Sequence, residues 1–413
     1  AAVAFPEFPA LQRRRPGNLA ASPVADFASG SGSAAIGPKA LDGIFCFGAD
    51  PEESLAKASA AKGADDRRAQ VLGMLKAADA LAESGRLPEA GEEVQAAARA
   101  SQEMRFEEGR AGALVVMAKI IALQGSLSTA EQLDEALDLA AEAQEKFQKF
   151  GSKRCEAAAL LALAAVRHAL KQYDEGDSAA KEALGLLRAL DDRVAVAEVY
   201  RVVAEGCVLH NDTRRAARMV NQAKAIHTER GDRKKEAQCV HRLGQIDLQS
   251  GAFDKGIATL STAQGLFKEA RDFKGEASVL NTLKEFHLKR GQLAQAVEAS
   301  QRMVTLYHHA GDAKLEGSSL VTLAELLIEQ DQVALAQKVG QAALQVSQLA
   351  RDGDGVVRAT ELLKTIKNAE LRQQIRQSLD TFAHTAHYPV NPVIDFGLNR
   401  QVPEMFAAVQ RGL

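Results

Sequence analysis

Apolar and polar positions between residues 231 and 272 follow the spacing of two amphipathic helices separated by one turn. Gly231 and Asp232 open the segment, and Gly251 marks the turn between the two helices. The apolar faces consist of Val240, Leu243, Gly244 and Ile246 in the first helix, and of Gly256, Leu260, Ala263, Leu266 and Phe267 in the second. The segment is therefore predicted to be one helical hairpin.

This hairpin pattern recurs every 40 residues after residue 150, which indicates a repeat protein. The turns between hairpins are predicted at Gly151, Asp191, Gly231, Arg271, Gly311 and Arg351. The next residues, Ser152, Asp192, Asp232, Asp272, Asp312 and Asp352, are predicted N-caps because their side chains accept hydrogen bonds from orphan N–H groups. Small residues in each second helix predict close helix packing; they are Ala136, Gly176, Ala216, Gly256, Ala296 and Ala336.

Two earlier hairpins are predicted from the same pattern, over residues 65–104 and 105–150. Pro88 suits the start of a second helix in the earlier hairpin. The later hairpin is six residues longer, and Ser128 and Glu131 in the extra segment predict a capping box.

Beyond the last full hairpin, a first helix is predicted over residues 356–366 and a separate, polar helix over 369–382. Terminal repeats need a polar outer face, so the last helix is interpreted as a cap. The predicted organisation is an extended arm over residues 1–50, a helical solenoid over 51–382, and an extended apolar tail over 383–413.

Both terminal segments carry apolar residues among prolines that prevent long helices. Free tails are usually polar, so we expect these segments to dock onto a surface. The predicted docking residues are Phe5, Phe8, Phe45, Phe47, Tyr388, Ile394, Phe396, Met405 and Phe406.

The hairpins resemble the tetratricopeptide repeat over about residues 65–366. The motif is carried by Leu243-Gly244, by Gly251-x-Phe253-x-x-Gly256 and by Ala263. The 40-residue period is similar to that of kinesin light chains and of Leu-Gly-Asn spindle-orientation adaptors. The resemblance implies an all-α, right-handed α-solenoid of about seven hairpins with a capping helix. Two positions depart from the motif, since Lys284 replaces a small residue and Asn211 replaces a turn glycine.

In this repeat family the first helices line a concave groove that binds partner proteins. Of the four inward-facing positions of the family's repeat, which are two, five, nine and twelve, positions five and nine carry the predicted groove residues. These are Arg201, Glu205, His241, Gln245, Asn281, Glu285 and Glu325, with apolar Leu161 and Ala165 earlier in the chain. The Lys/Asn/Arg clamp for C-terminal carboxylates is not reproduced, so a partner segment with apolar anchors and some basic residues fits better.

Composition limits the remaining functions. A net charge of −3 argues against a general nucleic-acid binder. The four cysteines lack zinc spacing, and no apolar run approaches the ~20 residues that span a bilayer. Basic residues gather between 214 and 235, which indicates a solvated face or a contact with an acidic partner, anionic lipid head groups or nucleic acid.

The sequence motifs that could indicate a catalytic or ligand-binding site are weak. Gly30-x-Gly32-x-x-Ala35 lacks the strand and helix of a dinucleotide site, and Asp352-Gly353-Asp354-Gly355 fits an inter-repeat turn better than a calcium loop. The histidines do not cluster at metal spacing. No catalytic residue, cofactor or metal is predicted.

The predicted function is therefore a non-enzymatic scaffold for protein–protein interaction. One interpretation is a peripheral subunit or assembly factor of a larger complex, such as one of an organellar photosynthetic or respiratory membrane, whose arms lie on neighbouring subunits. The alternative is a soluble adaptor that captures peptide motifs in its groove. The Ala/Ser-rich first 40 residues with Arg13-Arg14-Arg15 resemble the flank of a targeting sequence, which favours a chloroplast or mitochondrion over the cytoplasm.

Overall fold

The computed structural model describes residues 67–385, together with Phe45 and residues 53, 54 and 56. The chain divides into two compact units, Ala1–Asp272 and Phe273–Leu413. The described residues contain α-helices, one short 3₁₀ helix and no strand.

Ten helices lie in the first unit and five in the second, counted over the described residues. Those of the first unit are α1 (Arg67–Glu83), α2 (Leu87–Glu103), α3 (Glu107–Leu123), α4 (Ala130–Phe150), α5 (Lys153–Ala169), α6 (Tyr173–Ala189), α7 (Arg193–Leu209), α8 (Thr213–Glu229), α9 (Arg233–Gln249) and α10 (Phe253–Glu269). Those of the second unit are α11 (Phe273–Lys289), α12 (Leu293–Ala310), α13 (Ala313–Glu329), α14 (Val333–Leu349) and α15 (Gly353–Thr385).

Successive helices pair into seven hairpins, α1–α2 through α13–α14, and α15 follows them. Within each unit, helices of consecutive hairpins also pack on one another, as α3 does on both α1 and α5. First helices begin 40 residues apart, at residues 153, 193, 233, 273, 313 and 353. The predicted all-α solenoid of tetratricopeptide-like hairpins is confirmed.

The turns between helices share one backbone conformation, the left-handed region with positive φ. Gly231 and Gly311 adopt φ of 70° and 69° at predicted inter-hairpin turns, and Arg271 adopts 54° at the equivalent position. Glycine adopts this backbone conformation without strain, whereas a residue with a Cβ atom is strained in it. The 40-residue geometry is therefore kept even where the sequence has no glycine.

The predicted N-caps are observed at four junctions. Asp192 accepts a hydrogen bond from the backbone N–H of Ala195 at 3.1 Å, and Asp232 accepts one from Lys235 at 3.0 Å. Ser152 and Asp312 cap α5 and α13 in the same way. These caps fix where each first helix begins.

The capping box of α4 lies one residue later than predicted. Thr129, not Ser128, accepts from the backbone N–H of Gln132, and the Gln132 side chain accepts from the backbone N–H of Thr129. Ser128 instead donates its hydroxyl to the carbonyl of Ile121 at 2.7 Å. Because Ser128 is held by the preceding 3₁₀ turn, Thr129 is the residue that caps the helix.

The two helices predicted after the last hairpin form one continuous helix, α15, of 33 residues. The sequence between them, Lys367-Asn368, contains neither glycine nor proline. Lysine and asparagine are tolerated inside a helix, so nothing there ends it. The prediction of a separate capping helix was wrong in this respect.

The hydrophobic core contains the small residues of the second helices. Ala136, Ala216, Ala296 and Ala336 are fully buried. Large side chains such as Phe147, Phe267 and Leu260 are buried as well. This alternation of small and large residues allows the close approach of helices that the repeat requires.

Candidate functional site

First helices of the first unit hold a buried ion-pair group near the start of the array. Lys119 on α3 places Nζ 2.7 Å from Oδ1 of Asp79 and 2.9 Å from Oε1 of Glu83, both on α1. Burial raises the pKa of Asp79 to about 6, although Lys119 works in the opposite direction. Burial works to lower the pKa of Lys119, but Asp79 and Glu83 raise it above its usual value.

A second charged group lies on α7. Arg201 donates from Nε to Oε2 of Glu198 at 2.8 Å, and its Nη2 donates to Oε1 of the same carboxylate. Burial alone would raise the pKa of Glu198, but Arg201 overrides it and lowers the pKa to about 2. The bidentate pair therefore stays charged over the physiological range.

Arg242 on α9 connects this group to the next first helix. Its Nη2 donates to Oε2 of Glu205, and its Nη1 donates to Oε1 of Gln245 at 2.9 Å. Gln245 Nε2 in turn lies 3.3 Å from Nε2 of His241. Burial, and then the charge of Arg242, lowers the pKa of His241 to about 4, so the imidazole is neutral near pH 7.

The two groups share one electrostatic environment, because Glu198 acts on the pKa values of both Asp79 and Lys119. The intervening first helix, α5, contributes buried Leu161 and half-buried Ala165. We call the combined set the first-helix charge cluster. It consists of Asp79, Glu83, Lys119, Glu198, Arg201, Glu205, His241, Arg242 and Gln245.

The structure brings together the four groove residues predicted in the first unit, Arg201, Glu205, His241 and Gln245. Sequence reasoning missed five cluster members, which are Asp79, Glu83, Lys119, Glu198 and Arg242. A signal was available for two of them. Asp79 and Lys119 are the thirteenth residues of α1 and α3, as Glu205 and Gln245 are of α7 and α9. Carrying the same repeat position back to the first two hairpins would have identified them.

The second unit contains the other three predicted groove residues. Asn281 donates from Nδ2 to Oε1 of Glu285 at 2.9 Å on α11. Glu325 on α13 is exposed. Whether these residues contact a partner remains a prediction.

Among the predicted docking residues, Phe45 is the one that the structure describes. It is 1% exposed and packs edge-on against Phe147 of α4, with ring centroids 6.3 Å apart. Its side chain is therefore occupied by a contact within its own chain and is not available to a neighbouring subunit. Phe5, Phe8, Phe47, Tyr388, Ile394, Phe396, Met405 and Phe406 lie outside the described residues.

Three of the eight basic residues between 214 and 235 form ion pairs within the chain. Arg215 contacts Asp177 at 2.6 Å, and Arg233 contacts Glu236 at 2.9 Å. Lys234 lies 3.6 Å from Asp272. These contacts support the interpretation of this segment as a solvated, self-paired face.

His168 is a packing histidine. It is 3% exposed, lies 3.5 Å from Asp177, and fills the space beside Gly176 and Gly206. Burial lowers its pKa. The sequence Asp352-Gly353-Asp354-Gly355 was predicted to be an inter-repeat turn, but the turn lies at Arg351 and residues 353–355 form the first turn of α15. Over residues 67–385 the side chains form no group of three metal ligands.

No helix in the described part of the chain has the length and hydropathy needed to cross a membrane.

No protein-family model and no curated protein matches this chain. Similar solved structures include a Rap protein complexed with competence and sporulation factor, which is 14% identical with a TM-score of 0.45 over 76% of this chain and 80% of that chain. A STAND signal-transduction ATPase with a tetratricopeptide repeat sensor from Pyrococcus horikoshii is 15% identical, with a TM-score of 0.48 over 82% of this chain and 53% of that chain. Kinesin light chain TPR-like repeats from Podosopora anserina are 14% identical, with a TM-score of 0.38 over 49% of this chain and 97% of that chain. These values are too low to transfer a partner or an activity.

Proposed function

We propose that this chain is a non-enzymatic scaffold that binds partner proteins through the first-helix charge cluster. The observation that carries the proposal is the linkage of Glu205, Arg242, Gln245 and His241 across α7 and α9. These side chains are only partly buried, unlike the core beneath them. A preformed polar surface of this kind binds with little loss of conformational entropy.

The chemistry of the cluster favours an extended partner segment with basic residues and apolar anchors. Glu205 has a side-chain exposure of 39% and offers a carboxylate to a partner cation. Half-buried Ala165 offers apolar contact on the neighbouring first helix. Charge pairing at a rim gives specificity and rate of association, while apolar anchors give affinity.

The test is affinity purification of the full chain from its native source, with quantitative mass spectrometry. The double variant Glu205→Gln/Gln245→Ala should deplete a specific partner at least tenfold. The matched control is Arg193→Gln/Glu229→Gln, which removes an exposed ion pair from the ends of α7 and α8. Equal recovery of every protein by both variants would overturn the proposal.

A second candidate is a peripheral subunit or assembly factor of a larger, organellar membrane complex. It is supported by the apolar residues of segment 383–413 in the sequence. Deleting residues 386–413 should then abolish co-migration with the native complex while leaving helicity unchanged. Normal co-migration of the truncated chain would remove this candidate. The organellar location remains a prediction that cell fractionation tests.

A further inference from the structure

The second unit contains a polar pocket of about 330 Å³ between α11, α12 and α13. Hydroxyl groups line most of it, from Ser278, Ser300, Tyr307, Ser318, Ser319 and Thr322. Lys284 is the one charged residue of its lining, which contains no carboxylate among the described residues. This combination distinguishes the pocket from the first-helix charge cluster, which contains four carboxylates.

The pocket exists because one repeat departs from the pattern at two facing positions. Lys284 replaces the small residue found in the other first helices, as at Gly244 and Ala324. Ser300 occupies the position on α12 that Leu260 occupies on α10, one repeat earlier. In the fifth hairpin this pair packs so closely that a Cβ on Gly244 would lie 2.7 Å from Cδ2 of Leu260. Lysine and serine at these positions leave polar space where that hairpin has a close apolar contact.

Two polar side chains in this pocket, those of Ser300 and Lys284, make no hydrogen bond with any described residue. Ser300 is 2% exposed, and its Oγ has no hydrogen-bond partner, which is costly for a buried hydroxyl. Lys284 is half-buried and makes no hydrogen bond or ion pair with any described residue. Burial raises the pKa of Tyr307, so its hydroxyl stays protonated and can donate.

A second cation stands beside the pocket. Arg358 on α15 donates from Nη1 to the hydroxyl oxygen of Ser318 at 3.5 Å, and this serine lines the pocket. Arg358 is exposed and forms no ion pair with any described residue. A lysine ammonium, an arginine guanidinium and several hydroxyl donors are the groups that bind phosphate oxygens in proteins.

We propose that this pocket binds a phosphate monoester group, with Lys284 and Arg358 supplying the charge and Ser300 a buried hydrogen-bond donor. The volume exceeds that of a phosphate alone and leaves room for the group that carries it. The charge of a phosphate monoester, about −1.5 to −2 at pH 7, matches the two cations. The site uses other residues than the first-helix charge cluster, so it does not depend on the proposed function.

The test measures binding of two probes to the full chain by ³¹P NMR titration at constant ionic strength. The probes are inorganic phosphate and a short phosphoserine peptide. Saturable binding of either probe is expected, and Lys284→Met or Arg358→Gln should weaken it at least tenfold. Lys289→Met, which changes an exposed lysine on the same helix, should leave binding unchanged. Tighter binding of the peptide is expected and would identify a phosphorylated protein as the source, whereas tighter binding of inorganic phosphate would overturn the assignment to a monoester.

Ser300→Ala separates a built site from general attraction by positive charge. It removes the buried donor without changing charge, and it should weaken phosphate binding several-fold while keeping or raising the melting midpoint of the free chain. The proposal is overturned if neither probe saturates the chain, or if Lys284→Met binds phosphate as the wild type does.

Discussion

Gly256 on α10 lies directly against Leu248 on α9. A Cβ placed on Gly256 would come within 2.6 Å of Cδ2 of Leu248 and within 3.1 Å of its backbone nitrogen. The Leu248 side chain could rotate away, but its backbone could move only with the helix. The contact therefore sets how closely the two helices of the fifth hairpin approach.

Replacing Gly256 with leucine should destabilise the chain by about 2–3 kcal/mol through overpacking. The measurement is the free energy of unfolding from urea denaturation. Gly265→Leu on the same helix is the matched control, since a Cβ there meets nothing within 4 Å. Equal stability of the two variants would contradict the packing described for this hairpin.

Arg271→Gly should stabilise the chain by about 0.5–1 kcal/mol, because Arg271 occupies the left-handed backbone region at φ 54°. The gain is partial, since glycine also adds conformational freedom to the unfolded chain. Gly231→Ala at the equivalent turn tests the same strain in reverse and should destabilise by a similar amount. A higher melting midpoint for Gly231→Ala than for the wild type would refute this explanation.

Lys119→Met should destabilise the chain by about 3–5 kcal/mol, because it leaves Asp79 and Glu83 buried without their cation. The control is Lys149→Met, which breaks the exposed pair with Glu145 and should hardly move the midpoint. Thermal unfolding followed by circular dichroism distinguishes the two. Similar shifts for both variants would mean that the Lys119 ion pairs contribute no more than a surface pair.

The titration of His241 should make the free energy of unfolding of the chain depend on pH. The pKa of His241 is about 4 in the folded chain, below the value of about 6.5 expected when unfolded. The unfolded state therefore binds more protons in this window, and the free energy of unfolding falls as the pH is lowered from about 6.5 to about 4. Asp79, whose pKa is raised, acts with the opposite sign, so the comparison with a variant is what isolates His241.

His241→Asn should reduce this loss of stability between pH 6.5 and pH 4, as measured by urea unfolding at fixed pH values. His309→Asn, at an exposed histidine of α12, serves as the control and should keep the wild-type dependence. If both variants follow the wild-type curve, His241 does not titrate as described.

Most features that could be predicted from the sequence depend on residues that are close together along the chain. Asp192 and Asp232 were predictable caps because the N-cap hydrogen bond involves residues three apart. The continuity of α15 through Lys367-Asn368 was not predicted, because these two residues neither strongly favour a helix nor end one. The pairing of Lys119 with Asp79 joins residues 40 positions apart, so it follows from how first helices pack rather than from any local pattern.

The same reasoning explains the uneven success at the candidate site. Glu205 and Gln245 were predicted because a repeat position could be carried from one hairpin to the next. Lys284 was recognised only as a departure from the motif, since its consequence, a polar pocket, depends on Ser300 in the facing helix. Two departures from the repeat pattern at facing positions, such as Lys284 and Ser300, therefore predict a pocket better than either departure alone.

Site-specific photocrosslinking tests the central claim most directly. A photoreactive amino acid is placed in the full chain at position 238, an exposed position one helical turn before Arg242 on α9, and at the exposed position 182 of α6 as a control. After irradiation in the native source, mass spectrometry identifies crosslinked proteins. One specific protein partner is expected to crosslink from position 238 and not from position 182. Crosslinks to no protein, or to the same proteins from both positions, would contradict the claim.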